Sequence, residues 1–257
     1  AGIHFYDVQD FALEHGFDRV YAIAPKQLSD WQTAMESVGA DHRARNLISD
    51  PFALLPSARA IVILVTEYRP FSAFPRGYGH IPAYYLVSQQ TFKQTQVVAS
   101  FIEDATGKTA LASPQLPNRA VAMLAGVGQR GFHQLLITPS FGSFTSISLI
   151  LTDAFDATET GCAAALCSGC SACAAACPTK ALSGDGTWNY RRCLRHQIAI
   201  NAFSPEARER LDSFLGCERC QNACPVNQAA VSPVPAPEDI VSAFELGPIL
   251  SLRKEPA

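Results

Sequence analysis

The chain has 257 residues, 48% of them hydrophobic, and a net charge of −3 with a pI near 6.1. That material suffices for one large domain or two small ones, and the slightly acidic balance excludes a global basic field for nonspecific nucleic-acid binding. The longest strongly apolar run, Ala60–Val65, is too short to span a bilayer, and with no secretory or twin-arginine pattern a reducing, cytoplasmic setting is expected.

In chain order, Asp7 to His15 reads as a helix stopped by Gly16, and Arg19 to Ile23 as a strand. Ser29 to Val38 reads as a second helix capped by Ser29 or Asp30. Ala60 to Thr66, apolar and β-branched, predicts a buried strand. Three prolines and two glycines make Pro70 to Pro82 a loop. Pro82 opens a long helix to about Asp104, since proline suits a first helical turn. A short helix from Arg119 to Leu124 runs into the Ala125-Gly-Val-Gly128 turn. Leu135 to Thr138 is a candidate strand. Thr145 to Leu151 alternates, with Ile147, Leu149 and Leu151 on one face and Ser146 and Ser148 on the other. From about residue 160 cysteine, alanine and glycine take over, and the segment 231–237 is proline-rich, as extended connectors are.

The cysteines carry the chemistry. Cys167-x2-Cys170-x2-Cys173-x3-Cys177-Pro178 is followed by Cys193, then by Cys217-x2-Cys220-x3-Cys224-Pro225. Two-cluster ferredoxins use this logic: three close thiolates hold one cube and the cysteine before proline crosses to the other. Cys167, Cys170, Cys173 and Cys224 are thereby assigned to one [4Fe–4S] cluster, and Cys177, Cys193, Cys217 and Cys220 to a second. Disulfides fit a short secreted scaffold better than this chain, and zinc usually takes two CxxC pairs without a third cysteine at the same spacing. The small residues between the ligands let backbone N–H groups approach the sulfurs. Cys162 is left over, as an ordinary small buried residue.

The stretches Ala125-Gly-Val-Gly-Gln-Arg-Gly131, Leu135-Leu-Ile137, Phe141-Gly-Ser-Phe144 and Leu149-Ile-Leu-Thr-Asp153, placed just before the first cysteine group, resemble the epoxyqueuosine reductases, relatives of the reductive dehalogenases. Arg192-Cys193 and the Gly216 to Asn227 segment are similar to that family's second cysteine group. The resemblance is good over residues 110–228. It implies an α+β chain: a nitroreductase-like α/β corrinoid-binding domain (1–158), a ferredoxin-like double-cluster domain (159–230) and a proline-rich tail (231–257). It implies cobalamin beside one cluster, with Gly126, Gly128, Gly131, His133, Gly142, Ser143 and Phe144 as its seat. Glycines there would let backbone approach a flat macrocycle, and Ser143 would bind its amides.

Three departures shape the expected function. Ala112, before Ser113-Pro114, stands where the family carries a proton-donating acid, and Asn118-Arg119 stand at its Glu-Arg. Gln129 and Phe132 replace a usual Trp and Lys. The family's tRNA-gripping extension is short or absent. Tyr84, Tyr85, His80 and His133 are the replacement proton-donor candidates. Arg191, Arg192, Arg195 and His196 cluster beside Cys193, as a docking face for a ferredoxin- or flavodoxin-like electron donor or as a solvated helix face. The expectation is a cobalamin-dependent iron–sulfur reductase of a small organic molecule, with tRNA set aside as a partner. The alternatives are an electron-transfer or corrinoid-carrying protein without its own substrate, and a divergent epoxyqueuosine reductase acting on tRNA.

Overall fold

The computed structural model describes residues 2–28, 46–157, 165–211, 213 and 215–251. The expected helix 29–38 with its cap, and Cys162, lie outside these residues.

Helix α1 (Phe5–Glu14) starts two residues earlier than the periodicity suggests, because the Asp7 carboxylate accepts the His4 N–H at 2.8 Å and closes the first turn. It leads into β1 (Arg19–Ile23), which pairs antiparallel with β2 (Ala60–Glu67). A long helix, α2 (Tyr84–Thr106), returns the chain to a short strand, β3 (Ala110–Ala112). Then come α3 (Asn118–Leu124), a two-stranded hairpin of β4 (Gln129–Arg130) and β5 (Leu136–Ile137), and β6 (Thr145–Thr152). The main sheet runs β1-β2-β6-β3, every pair antiparallel, with Val62 opposite Ile150 and Ile63 opposite Leu149.

Side chains alternate across a strand, and both faces of this sheet are covered. Val62 and Leu64 pack with Val8, Ala12, Val98 and Ile102 of α1 and α2. Ile61, Ile63 and Val65 pack with Leu116, Val121 and Ala122 at α3. That is why β2 reads as an unbroken apolar run. The alternation expected for β6 fails at its end for the same reason: Leu149 and Leu151 face α3, but Ile150 and Thr152 on the other face are fully buried as well. Among the described residues no helix is long and apolar enough to cross a membrane.

Beyond residue 165 the helices are α4 (Ala172–Ala175), α5 (Leu194–Ala199), α6 (Pro205–Glu209), α7 (Arg219–Asn222) and α8 (Pro225–Ala230). None exceeds two turns, too short to persist without tertiary support. The proline-rich segment is more than a connector. Val234 N–H donates to the Pro70 carbonyl (2.9 Å) and its own carbonyl accepts from Ser72 (2.8 Å). Two further helices, α9 (Glu238–Ala243) and α10 (Leu246–Ser251), follow, with Phe244 accepting from Gly79 and Leu246 donating to Gly77, both at 2.8 Å. Within the loop 70–82 the Tyr78 N–H donates to the Pro75 carbonyl (3.2 Å), and the tail supplies further backbone partners.

Candidate functional site

The thiols sort into two neighbourhoods. Burial pushes the Cys173 thiol up, and among the other thiols the charges of Cys224 and then Cys167 push it further. Burial raises Cys193 too, with Cys177 adding to it. Cys220 is driven up by burial and then by Cys217, Cys193 and Cys177 in that order, with Cys173 last. Cys173 thus feels Cys224, and Cys193 and Cys220 feel Cys177. Cys170 is the exposed member of the first set. Among the described residues no three Cys, His, Asp or Glu side chains converge on a single-ion position. Ala181 N–H donates to Cys177 Sγ at 3.2 Å, the kind of bond that stabilises a thiolate ligand.

The glycine string is closely packed against protein. Gly126, at φ +67°, ends α3. A Cβ on Gly128 would meet the Ile137 carbonyl oxygen at 2.3 Å, and one on Gly131 would meet Ile137 Cδ1 at 2.7 Å and the His133 ring at 2.8 Å. The missing side chains therefore close the β4–β5 hairpin on itself. Gly142, at φ +57°, would strike Asn227 Oδ1 at 2.2 Å. There Ser143 N–H donates to Asn227 Oδ1 (2.8 Å), and Asn227 Nδ2 donates to Ser143 Oγ and to the Gln221 carbonyl (both 2.8 Å). Gln221 Nε2 donates to the Ser143 carbonyl at 3.0 Å. Ser143, expected to hold a macrocycle's amides, is instead buried in a polar clasp between the sheet domain and the second cysteine segment. Phe144 packs edge-on against Tyr68 with ring centroids 5.7 Å apart.

His133 is the member of the expected seat with an open hydrogen-bonding atom. Its Nδ1 accepts the Leu135 N–H at 3.2 Å, so Nε2 carries the proton, and that buried donor has no partner among the described residues. Burial and then the Arg119 charge hold the ring down at about 4, so it is neutral at pH 7. Tyr84 stacks on Tyr85 with centroids 4.5 Å apart, and its hydroxyl sits where a Cβ on Gly216 would lie, beside Cys217. That hydroxyl is also buried and unpartnered among the described residues; burial and then Tyr85 push it up, against the pull of Arg195. It stays protonated. His80 packs edge-on to Phe74 at 5.0 Å in the loop.

Three arginines that the sequence reading did not bring together act on one another here. Arg119 is accessible to solvent yet enclosed by enough protein that desolvation lowers its pKa, with Arg195 and then Arg130 lowering it further. Arg119 thus acts on His133 and is acted on by Arg195 and Arg130, and these four residues mark the candidate cleft. None of the three forms an ion pair among the described residues. Arg119 is braced by donating to the Gln134 carbonyl, and Gln134 donates on to Gly186 at 2.8 Å. Gln129 pins the first cysteine loop, its Oε1 accepting from Leu166 (2.6 Å) and Cys167 (3.2 Å).

Ala112 packs toward the α1–α2 side, whereas Leu111 packs toward α3. The position assigned to the family's acid thus faces away from the Arg119–His133 side, and its alanine is no measure of what the cleft lost. A perturbed carboxyl lies elsewhere: Glu218 is buried with both oxygens unpartnered among the described residues, and burial pushes it up to about 7.

Residues 166–227 match a 4Fe-4S double cluster binding domain. The chain is 31% identical over 195 residues to an epoxyqueuosine reductase of Lactococcus garvieae, covering 74% of this chain and 55% of that protein. It is 25% identical over 248 residues to the Staphylococcus aureus enzyme of that name, covering 86% and 64%. It thus spans little more than half the length of such relatives. The solved epoxyqueuosine reductase of Streptococcus thermophilus superposes with a TM-score of 0.80 at 25% identity, over 96% of this chain and 72% of that one. A catabolic reductive dehalogenase superposes at 0.56 and 15% identity, over 87% and 32%. The expectation of a small-molecule substrate with tRNA set aside is overturned: an epoxyqueuosine reductase of this fold (TM-score 0.79, 22% identity, over 96% of this chain and 72% of that one) is solved with an epoxyqueuosine-modified tRNA-Tyr stem loop. The chain is a homologue of the epoxyqueuosine reductases, carries their double-cluster module, and shares its fold with the reductive dehalogenases.

Proposed function

We propose that this chain is an iron–sulfur reductase of the epoxyqueuosine type, acting on a modified nucleoside in tRNA, with two [4Fe–4S] clusters and a cobalamin as resident cofactors. The observation that carries the reading is the match of residues 166–227 to a 4Fe-4S double cluster binding domain, in a homologue of enzymes with that name. When bound, the clusters supply one-electron transfer and the corrinoid a strongly reducing metal centre.

The chain's own residues do the rest. Cys167, Cys170, Cys173 and Cys224 would hold one cluster and Cys177, Cys193, Cys217 and Cys220 the other. The cofactor side of the cleft is best fitted by two buried, unpartnered donors, His133 Nε2–H and the Tyr84 hydroxyl, since an unsatisfied buried donor costs ~1–3 kcal/mol unless a ligand completes it. His133, neutral at pH 7, donates a hydrogen bond without adding charge. Tyr84 keeps its proton and can deliver it as the substrate is reduced. Arg119, Arg130 and Arg195 repel one another until an anion sits among them, and a nucleotide phosphate is such an anion.

The test is anaerobic reconstitution with iron, sulfide and hydroxocobalamin, then incubation with epoxyqueuosine-containing tRNA and a strong one-electron donor. About eight irons with corrin bands surviving desalting, and conversion of the modified base, are expected. Full iron loading with no conversion overturns the substrate; loss of the corrin bands overturns the cobalamin.

A further inference from the structure

Docking a tRNA asks for a basic surface, and a chain of net charge −3 has none overall. The charge is concentrated instead. Between Thr179 and Arg210 there are six lysines and arginines against three carboxylates. This segment also encloses a half-open groove of about 620 Å³, with Tyr190, Arg191, Arg192 and His196 in its wall. Tyr190 stands edge-on to His196 (5.0 Å) and to Trp188 (6.1 Å), and all three rings are partly exposed. The Arg191 guanidinium lies 5.7 Å from the centre of the Tyr190 ring, with Nε donating to the Tyr190 hydroxyl at 3.2 Å.

The two arginines differ. Arg192 is committed, donating to the Thr179 carbonyl (3.0 Å) and to Glu206 (3.2 Å). Arg191 is exposed and in no ion pair with a described carboxylate, so its outer nitrogens point a charge at solvent beside an aromatic ring. Aromatic faces flanked by arginine are how proteins take up unpaired nucleotides. The groove falls within the volume range of small-ligand sites, whereas a transient electron-transfer encounter makes a small contact and needs no cavity. Helix α5 ties the groove to the cleft: His196 lines the groove, and the adjacent Arg195 is felt by Tyr84 and Arg119.

We propose that this groove is an RNA-docking seat, in which a nucleobase lies against Tyr190 and a backbone phosphate meets Arg191. The proposal rests on the reading of tRNA as substrate and adds where the strand is gripped, beside the second cysteine group.

The test uses the cluster-loaded protein and a fluorescently labelled, unmodified tRNA anticodon stem loop, with anisotropy followed over a range of salt. Tyr190→Ala should weaken binding about 5- to 100-fold, with Tyr190→Phe within about twofold of wild type because the stacking face is kept. Arg191→Gln should weaken binding and reduce the slope of log affinity against log salt by about one. Iron content and cluster absorbance, measured alongside, show that the variants are folded. Wild-type affinity in both Tyr190→Ala and Arg191→Gln overturns the seat, even where the wild-type protein converts modified tRNA. Weakened binding in a protein that converts no tRNA sustains the seat and removes the reductase reading instead. Unchanged RNA affinity with slower reduction by a protein electron donor also overturns it.

Discussion

In the sheet half, Val62, Ile63, Leu64, Leu149 and Ile150 are fully buried between helices on both faces. In the cysteine half the buried set includes Thr179, Gln197, Glu218, Gln221 and Asn227, while its buried apolar residues are few, Leu182 and Leu194 the largest. The first half can be stabilised by removal of apolar surface from water. The second has helices too short to stand alone and little such surface, so ligand bonds and side-chain amides must do that work. The part that matches a double-cluster domain is thus the part whose fold is expected to depend on cofactors, and the sheet half is the frame on which it closes.

The largest expected effect separates the two outright. Stripping the iron anaerobically with a chelator should bring amides of residues 165–230 to near-unfolded exchange, while β2 and β6 keep their protection. Uniform loss across both halves would mean that the sheet does not stand alone. Single ligand changes sharpen this: Cys224→Ala should perturb the same paramagnetic signal as Cys167→Ala, and Cys177→Ala the same one as Cys193→Ala. Pairing by sequence proximity instead would undo the crossed assignment.

The converse change is Leu149→Ala, which opens a cavity under α3. A cost of about 2–5 kcal/mol is expected, read as a lower urea midpoint for the sheet amides with about the same iron per chain. If iron is lost in step, the halves unfold as one unit. Between the two lies the clasp. Asn227→Ala leaves the buried Ser143 N–H without its acceptor, at a cost of about 1–3 kcal/mol. Gly142→Ala forces a Cβ into Asn227 at a positive φ, a strain of at least about 1–2 kcal/mol. Both should loosen the cysteine half from the sheet, seen as faster proteolysis near 227, with the sheet's midpoint moving less.

The same contrast governs what could be read in advance. The bounds of β1 at 19–23 follow from a short, mostly apolar run, and β2 extends only to Glu67 beyond the apolar stretch. Burial there is written into consecutive residues. β3 is Ala-Leu-Ala, with little strand propensity of its own, and exists because β6 offers it partners. The lacing of 231–237 onto the loop at 70–82 is likewise a long-range bargain between two proline-rich segments. The thiols were legible because cluster ligands come at fixed local spacings. The packing of the glycines was not legible, since an absent side chain does not say what fills its place: at Gly131 it is Ile137 and His133, at Gly142 it is Asn227. Arg119, Arg130 and Arg195 come from a helix, a hairpin and the cysteine half, and no local pattern joins them.

The most local expected effect is a pH dependence confined to the sheet side of the cleft. His133 titrates at about 4 when folded, because it is buried first and faces the Arg119 charge second; in an unfolded chain a histidine titrates near 6.5. Above about 6.5 both states hold a neutral ring and this group contributes no slope. Between the two values the unfolded chain takes up a proton that the folded one refuses, so stability falls as the pH drops and levels off below about 4. From pH 7 to pH 5 the loss is about 2 kcal/mol. Urea midpoints read from the sheet amides should carry this slope, and His133→Gln should remove it, with Arg119→Gln reducing it by lifting the smaller of the two causes. A slope unchanged in His133→Gln assigns the proton elsewhere. A slope seen only in cluster absorbance and absent from the sheet amides assigns it to the cysteine half.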